Sequence, residues 1–165
     1  MDTEFVFPSI ETLIKIMTNL SKKEMTKLRL EKLIYFSYAY YGAFALEKAD
    51  YPKNLVDIAF TCDEYGFHIV GLKELISSNF SLIQDKEYST EDEFLNFLRS
   101  SLSKYELEIL ELIIDIVQQT DEMGDFSLVE INHTDNIWFD CYNNKKVFSN
   151  KDLYLEYQTK IKRPV

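Results

Sequence analysis

The chain has 165 residues, a formal net charge of −10 and a hydrophobic fraction of 46%. This length predicts one domain over residues 1–165. The scarcity of glycine and proline, with four and three residues, argues against an all-β fold, which needs frequent tight turns. The acidic charge argues against general affinity for nucleic acid or anionic membranes, because their phosphate groups would be repelled. It suits a basic protein partner or simply solubility, and charge alone favours solubility.

The two cysteines, Cys62 and Cys141, are too few for a disulfide framework. The N-terminus also lacks the basic region and the long apolar run of a signal peptide. We therefore expect a cytoplasmic protein with free thiols. No apolar stretch reaches the roughly 20 residues that span a bilayer, so we expect no membrane partner.

The first predicted helix begins after Ser9, a residue suited to capping a helix N-terminus. Its apolar residues recur at helical spacing and form one face: Ile10, Leu13, Ile14, Met17 and Leu20. A polar stretch over residues 21–24 ends this pattern and separates the helix from the next one.

The second predicted helix, about residues 27–46 with Thr26 as its cap, is apolar or aromatic nearly all round beyond its first turns. Such a helix is buried on most sides, so other helices must pack around it. Its expected core residues are Leu30, Leu33, Ile34, Tyr35, Tyr38 and Tyr41. Gly42 in mid-helix costs about 1 kcal/mol relative to alanine, which indicates a close helix crossing. The sequence predicts a mainly α, compact bundle around this central helix.

The segment 51–66 is predicted to be extended or irregular, with a short β element near residues 55–70, where apolar residues alternate. A short helix is predicted over 72–77. Three capping boxes predict further helix starts, and they pair Thr90 with Glu93, Ser103 with Glu106, and Ser127 with Glu130.

In the last third of the chain, a glycine and a serine indicate where helices end and begin. Gly124 suits the position just after the C-terminus of the long helix that Ser103 opens. The final helices are predicted over 136–142 and 152–160, and Ser149 is a candidate cap for the last one.

The sequence contains no recognisable catalytic or cofactor motif: no glycine-rich phosphate loop, no CxxC and no HExxH. The residue types that could bind zinc have a spacing that matches no common zinc pattern: Cys62, His68, His133 and Cys141. The sequence positions of the two cysteines and two histidines also indicate no particular pair for nucleophilic catalysis. We expect no catalytic residues, no metal and no cofactor, and therefore a binding protein rather than an enzyme.

One concentrated basic patch interrupts the acidic sequence: Lys22, Lys23, Lys27, Arg29 and Lys32. Such a patch could contact nucleic acid, and a DNA-binding regulator is the corresponding alternative. A solvated turn followed by the first turns of a helix explains the patch equally well. The net negative charge of the protein favours that structural interpretation.

Three segments, taken in order, are similar to one known family. The first is residues 27–36, KLRLEKLIYF, with the aromatic run to Tyr41. The second is residues 60–66, FTCDEYG, which Phe67-His68-Ile69-Val70 follows where the family usually has proline and a small apolar residue. The third is residues 126–134, FSLVEINHT, followed by Trp138. In this order and spacing they resemble the Panacea domain over roughly residues 10–157.

This resemblance implies an antitoxin of a bacterial or phage toxin–antitoxin pair, which neutralises a cognate toxin by direct binding without enzymatic activity. The alternatives are a proteolytic adaptor that delivers a partner to a protease, or a phage-associated regulatory binding protein. The oligomeric state stays open. The family-like motifs mark these residues for partner contact: Tyr65, Gly66, Phe67, His133 and Trp138. A structural interpretation stands beside each role, with Tyr65-Gly66 as a turn, His133 as a helix-end cap and Trp138 as a core anchor.

Overall fold

The structure is a computed structural model that describes residues 4–84 and 90–162. In these ranges the chain forms nine helices and one hairpin. In order they are α1 (Ile10–Leu20), α2 (Lys27–Ala45), β1 (Phe60–Asp63), β2 (Gly66–Ile69), α3 (Leu72–Ser78), α4 (Ser81–Gln84), α5 (Glu91–Ser101), α6 (Lys104–Asp121), α7 (Asp125–His133), α8 (Asn136–Asn144) and α9 (Asn150–Lys162). The predicted mainly α fold is confirmed. No helix in the described ranges combines the length and the apolar character needed to cross a membrane.

Helix α2 is enclosed by its neighbours, as its aromatic composition predicted. The six expected core residues are each 1% exposed or less: Leu30, Leu33, Ile34, Tyr35, Tyr38 and Tyr41. Helices α1, α6, α7 and α9 and strand β2 contact α2 along its length. The core of the domain is therefore a single helix with the other elements around it.

The expected close crossing at Gly42 is present between α2 and α9. A Cβ atom at Gly42 would lie 1.9 Å from Cε1 of Tyr154. The Tyr154 ring is buried, and its hydroxyl donates to Asn54 Oδ1 at 2.7 Å. The missing side chain at Gly42 therefore makes room for an aromatic ring that has little freedom to move.

Most predicted helix caps are confirmed. A serine or threonine side chain accepts a backbone N–H at the start of α1, α2, α5 and α6, and the Ser103–Glu106 box is complete. Ser149 accepts from the N–H of Asp152 near the start of α9. These starts depend on contacts within a few residues, which a sequence displays directly.

The third capping box was wrong. Helix α7 begins at Asp125 with Gly124 as its N-cap, so Ser127 lies inside the helix and Gly124 does not close α6. The reason is tertiary: the Asp125 carboxylate accepts from Arg29 Nε at 2.9 Å and from the Thr26 hydroxyl at 2.6 Å. These bonds to the start of α2 fix the beginning of α7 before Ser127.

The β element predicted near residues 55–70 is a two-stranded antiparallel hairpin, with Cys62 paired to Phe67 and Asp63 paired to Gly66. The turn between the strands consists of Glu64 and Tyr65. Gly66 has a φ of +107°, in the left-handed region that favours glycine.

The prediction of free thiols was also wrong, because Cys62 in β1 and Cys141 in α8 form a disulfide with their Cα atoms 6.4 Å apart. The two cysteines are 79 residues apart in sequence. They meet only because β1 packs on α8.

Candidate partner-binding face

The hairpin β1–β2 packs against α2, α7 and α8. The five residues marked by the family-like motifs all lie on this hairpin or against it. Tyr65 stands in the turn with 45% of its surface exposed, whereas Gly66 and Phe67 are buried in β2. His133 ends α7, and Trp138 lies in the first turn of α8. The structure thus brings together residues from two distant segments of the sequence.

Two rings hold the tip of the hairpin by its backbone. Trp138 Nε1 donates to the carbonyl of Asp63 at 2.8 Å, and His133 Nε2 lies 2.7 Å from the carbonyl oxygen of Glu64. The two rings stack with centroids 4.1 Å apart, and Tyr142 stacks on Trp138 at 5.2 Å. We call Tyr65, His133, Trp138 and Tyr142 the hairpin face.

The residues of the hairpin face differ in what they offer to a partner. Trp138 is only 9% exposed, which agrees with its interpretation as an anchor that positions the turn. His133 and Tyr142 are half-buried, and Tyr65 is exposed. A partner would therefore meet Tyr65 and the edges of His133 and Tyr142, on a backbone that Trp138 holds in place.

Buried side chains from α2 and α7 bind the outer edge of β2. Asn132 Oδ1 accepts from the Phe67 N–H at 3.0 Å, and the Lys32 ammonium donates to the Phe67 carbonyl at 3.0 Å and to Asn132 Oδ1 at 3.1 Å. The Glu31 carboxylate accepts from the Ile69 N–H at 2.9 Å. These side chains take the place of a third strand, so the edge of the hairpin is closed to further β pairing.

His68 lies between two carboxylates. Its Nδ1 is 2.8 Å from Glu31 Oε1, and its Nε2 is 2.7 Å from Asp63 Oδ2. The hydrogen bond with Glu31 raises the pKa of His68. Burial acts to raise the pKa of Glu31, but hydrogen bonds from His68, Lys27 and the Ile69 N–H outweigh it, so this pKa lies below its ordinary value. His68 therefore links α2 to both strands of the hairpin, and the two carboxylates favour its protonated form.

We expect the protein to lose stability as pH rises through the folded-state pKa of His68. Because this pKa is raised, the folded protein keeps a proton that the unfolded chain releases near pH 6.5, so the stabilisation is complete below about pH 6.5 and lost above the folded pKa. Urea unfolding of wild type and His68→Gln between pH 5.5 and 8 measures this effect. The wild-type free energy of unfolding should fall relative to that of the variant, and parallel profiles would refute the assignment.

Lys32 is a buried cation beside the one glycine of the hairpin. Burial lowers the pKa of Lys32 to about 8, although the carboxylates of Glu31 and Asp63 act in the other direction. A Cβ atom at Gly66 would lie 2.6 Å from the Lys32 ammonium and 2.2 Å from Asn132 Oδ1. Gly66 is therefore required by the close approach of the hairpin to α2 and α7, in addition to its turn conformation.

A second buried cluster supports the start of α8. The fully buried carboxylate of Asp135 accepts from the hydroxyls of Tyr35 at 2.6 Å and Tyr157 at 2.7 Å, and it pairs with the Lys160 ammonium. Burial, together with the nearby Asp135 charge, raises the pKa of both tyrosines well above the ordinary value. Both hydroxyls stay protonated and donate, which ties α2 and α9 to the residue that precedes α8.

Sequence reasoning missed the inner part of this site. No role was predicted for Glu31, Asn132 or Asp135, and Lys32 was considered only as part of the basic patch. One signal was present, because charged residues stood within a helix that was otherwise predicted to be buried. A charge in such a place needs a partner.

The basic patch is not a continuous surface. Arg29 is 1% exposed and Lys32 is fully buried. Lys27 pairs with Glu31 at 2.6 Å.

In the part of the chain that the structure describes, no group of three or more histidine, cysteine, aspartate or glutamate residues is suited to hold a metal ion.

Comparison of the chain with models of protein families, with curated proteins and with solved structures gives no match. The fold and the hairpin face define a mainly helical domain of acidic charge that presents an aromatic turn on a firmly held backbone.

Proposed function

We propose that this protein is the antitoxin of a bacterial or phage toxin–antitoxin pair and neutralises its cognate toxin by direct binding through the hairpin face. The observation that carries the proposal is the meeting of the family-like motifs at one place. Tyr65 from the second motif lies at the turn that His133 and Trp138 from the third motif hold. The first motif supplies the helix beneath them.

The rigidity of the hairpin supports binding through this face. Its backbone is held at the tip by Trp138 and His133, and its outer edge is held by side chains from α2 and α7. A surface that is already ordered loses less conformational entropy when a partner binds. Tyrosine and tryptophan also contribute disproportionately to interface energies.

The charge of the protein supports a basic partner. A net charge of −10 attracts a positively charged toxin surface and speeds the encounter between the two proteins. A toxin that acts on nucleic acid carries such a surface at its working site. The burial of Arg29 and Lys32 removes the strongest argument for the alternative of direct DNA binding.

Co-expression with the product of the neighbouring open reading frame tests the proposal. We expect that product to arrest growth when expressed alone, to be harmless with this protein, and to co-purify with it. Its half-life should not change, because neutralisation by binding needs no degradation, whereas a proteolytic adaptor would shorten it. A harmless neighbour, or the lack of a complex, would rule the antitoxin role out.

Tyr65→Ala is expected to weaken the complex about five- to thirtyfold, the change in affinity that corresponds to the roughly 1–2 kcal/mol that a tyrosine at an interface commonly contributes. Phe44→Ala is the matched control, because Phe44 has a similar exposure of 42%. Phe44 is also far from the hairpin. It lies 12 residues after Lys32, the α2 residue that contacts the hairpin, and this separation is about 18 Å along the helix axis at 1.5 Å per residue. Titration calorimetry of both variants decides, and equal affinities would exclude Tyr65 from the interface.

A further inference from the structure

We propose that the Cys62–Cys141 disulfide is a redox-controlled latch for the hairpin face. The bond joins β1 to α8. Tyr65 follows β1 in the turn, and α8 carries Trp138 and Tyr142. The disulfide therefore adds a covalent link between β1 and α8, which the hydrogen bond from Trp138 to Asp63 also joins. The effect on partner binding rests on the proposed antitoxin function, whereas the latch itself does not.

Both sulfur atoms belong to half-buried residues at the edge of the core. We therefore expect a small thiol to reach the bond without unfolding of the domain. Cys62 and Cys141 are the only two cysteines of the chain, so the reduced protein has no alternative pairing within one molecule. Reoxidation within the folded chain restores the same bond, which is what a reversible device needs.

The reductant is a dithiol, small or protein-borne. Its thiolate attacks one cysteine sulfur, the S–S bond breaks, and the other cysteine leaves as a thiolate that takes up a proton. The second thiol of the reductant then attacks the mixed disulfide and releases the first cysteine. The protein gains two electrons and two protons, and the dithiol becomes a disulfide. A disulfide of the same class reverses the sequence.

The rest of the hairpin does not depend on this bond. Strand β2 is held by Lys32, Glu31 and Asn132, which lie on α2 and α7. Strand β1 pairs with β2 and faces α8, and toward α8 it has the disulfide and the hydrogen bond that Trp138 donates to the Asp63 carbonyl. Reduction should therefore loosen β1, the turn and α8 against each other while α2 and its surroundings stay packed.

Hydrogen–deuterium exchange of the full chain tests the latch. We compare the oxidised protein, the protein in dithiothreitol, and the variant Cys62→Ser/Cys141→Ser with and without dithiothreitol. Amide exchange over residues 60–66 and 136–144 should rise at least tenfold on reduction and stay unchanged in α2. The double variant should exchange quickly in both conditions, which separates loss of the bond from other effects of the reductant.

Three results would overturn the latch. Unchanged exchange in both segments would mean that the bond restrains nothing. Loss of the helical circular dichroism signal on reduction would mean that the disulfide is needed for the stability of the whole fold. A bond that dithiothreitol reduces in the urea-denatured chain but not in the folded protein would show that the disulfide does not open without unfolding of the domain.

The regulatory consequence is measured with the product of the neighbouring open reading frame. We expect the oxidised protein to bind it about tenfold more tightly than the reduced protein, because the oxidised face is better ordered before binding. Equal affinities in the two states would overturn redox control of binding. If that product binds neither state, the antitoxin proposal fails, whereas the exchange experiment still decides about the latch.

Discussion

Replacement of Asp135 by alanine is expected to destabilise the protein by about 3–5 kcal/mol, the range found when one partner of a buried charged pair is removed. The carboxylate accepts from the buried hydroxyls of Tyr35 and Tyr157 and pairs with Lys160. Without it, both hydroxyls lose their acceptor in an environment that water does not reach. Urea unfolding followed by circular dichroism measures the loss.

Two control variants distinguish the loss of the buried cluster from the loss of an ordinary surface charge. Asp135→Asn keeps an oxygen acceptor for the tyrosines and should lose less than alanine does. Asp152→Ala removes an exposed carboxylate 3.4 Å from the Lys146 ammonium, a pair of the kind worth about 0–1 kcal/mol. If Asp135→Ala costs no more than Asp152→Ala, the cluster does not support the start of α8.

Replacement of Gly66 by alanine is expected to cost about 2–6 kcal/mol. Two effects add. Gly66 has a φ of +107°, and a strained backbone of this kind costs about 1–3 kcal/mol for other residues. The new methyl group would also meet Asn132 Oδ1 at 2.2 Å and the Lys32 ammonium at 2.6 Å, and such overpacking typically costs about 1–3 kcal/mol.

Gly71→Ala isolates the first of these effects. Gly71 has a φ of +85°, but nothing lies within 4 Å of the Cβ position. It should therefore cost only the backbone strain, clearly less than Gly66→Ala in the same thermal or urea unfolding experiment. Equal losses for the two variants would mean that the hairpin can move away from α2 and α7 without penalty.

The parts of the fold that were predictable depend on local or periodic signals. The buried character of α2 followed from an aromatic helix without a polar face, and all six of its expected core residues are buried. The caps Ser9, Thr26, Thr90 and Ser103 act on backbone groups two or three residues away. Gly42 indicated a crossing because a glycine in mid-helix is otherwise unfavourable.

The parts that were not predictable depend on contacts between distant residues. Lys32 with Asn132 and Tyr35 with Asp135 are each 100 residues apart in sequence. The disulfide closes 79 residues, and no spacing rule connects its two cysteines. The start of α7 was misplaced for the same reason, since Arg29 in α2 fixes it.

The five residues predicted for partner contact lie near one another, but their individual placements were not predictable. The five motif residues lie together, yet Gly66 and Phe67 are buried, and Trp138 binds the hairpin backbone. Tyr65 is the member with an exposed side chain. Sequence alone could not separate these tasks, because exposure depends on how the hairpin packs on α7 and α8.

A hydrogen-exchange footprint of the complex with the product of the neighbouring open reading frame tests the central claim most directly. If the partner docks on the hairpin face, the amide hydrogens of residues 63–67 and 133–142 should exchange more slowly when the partner is bound. Protection confined to α1 and α5, with the hairpin exchanging as in the free protein, would contradict it.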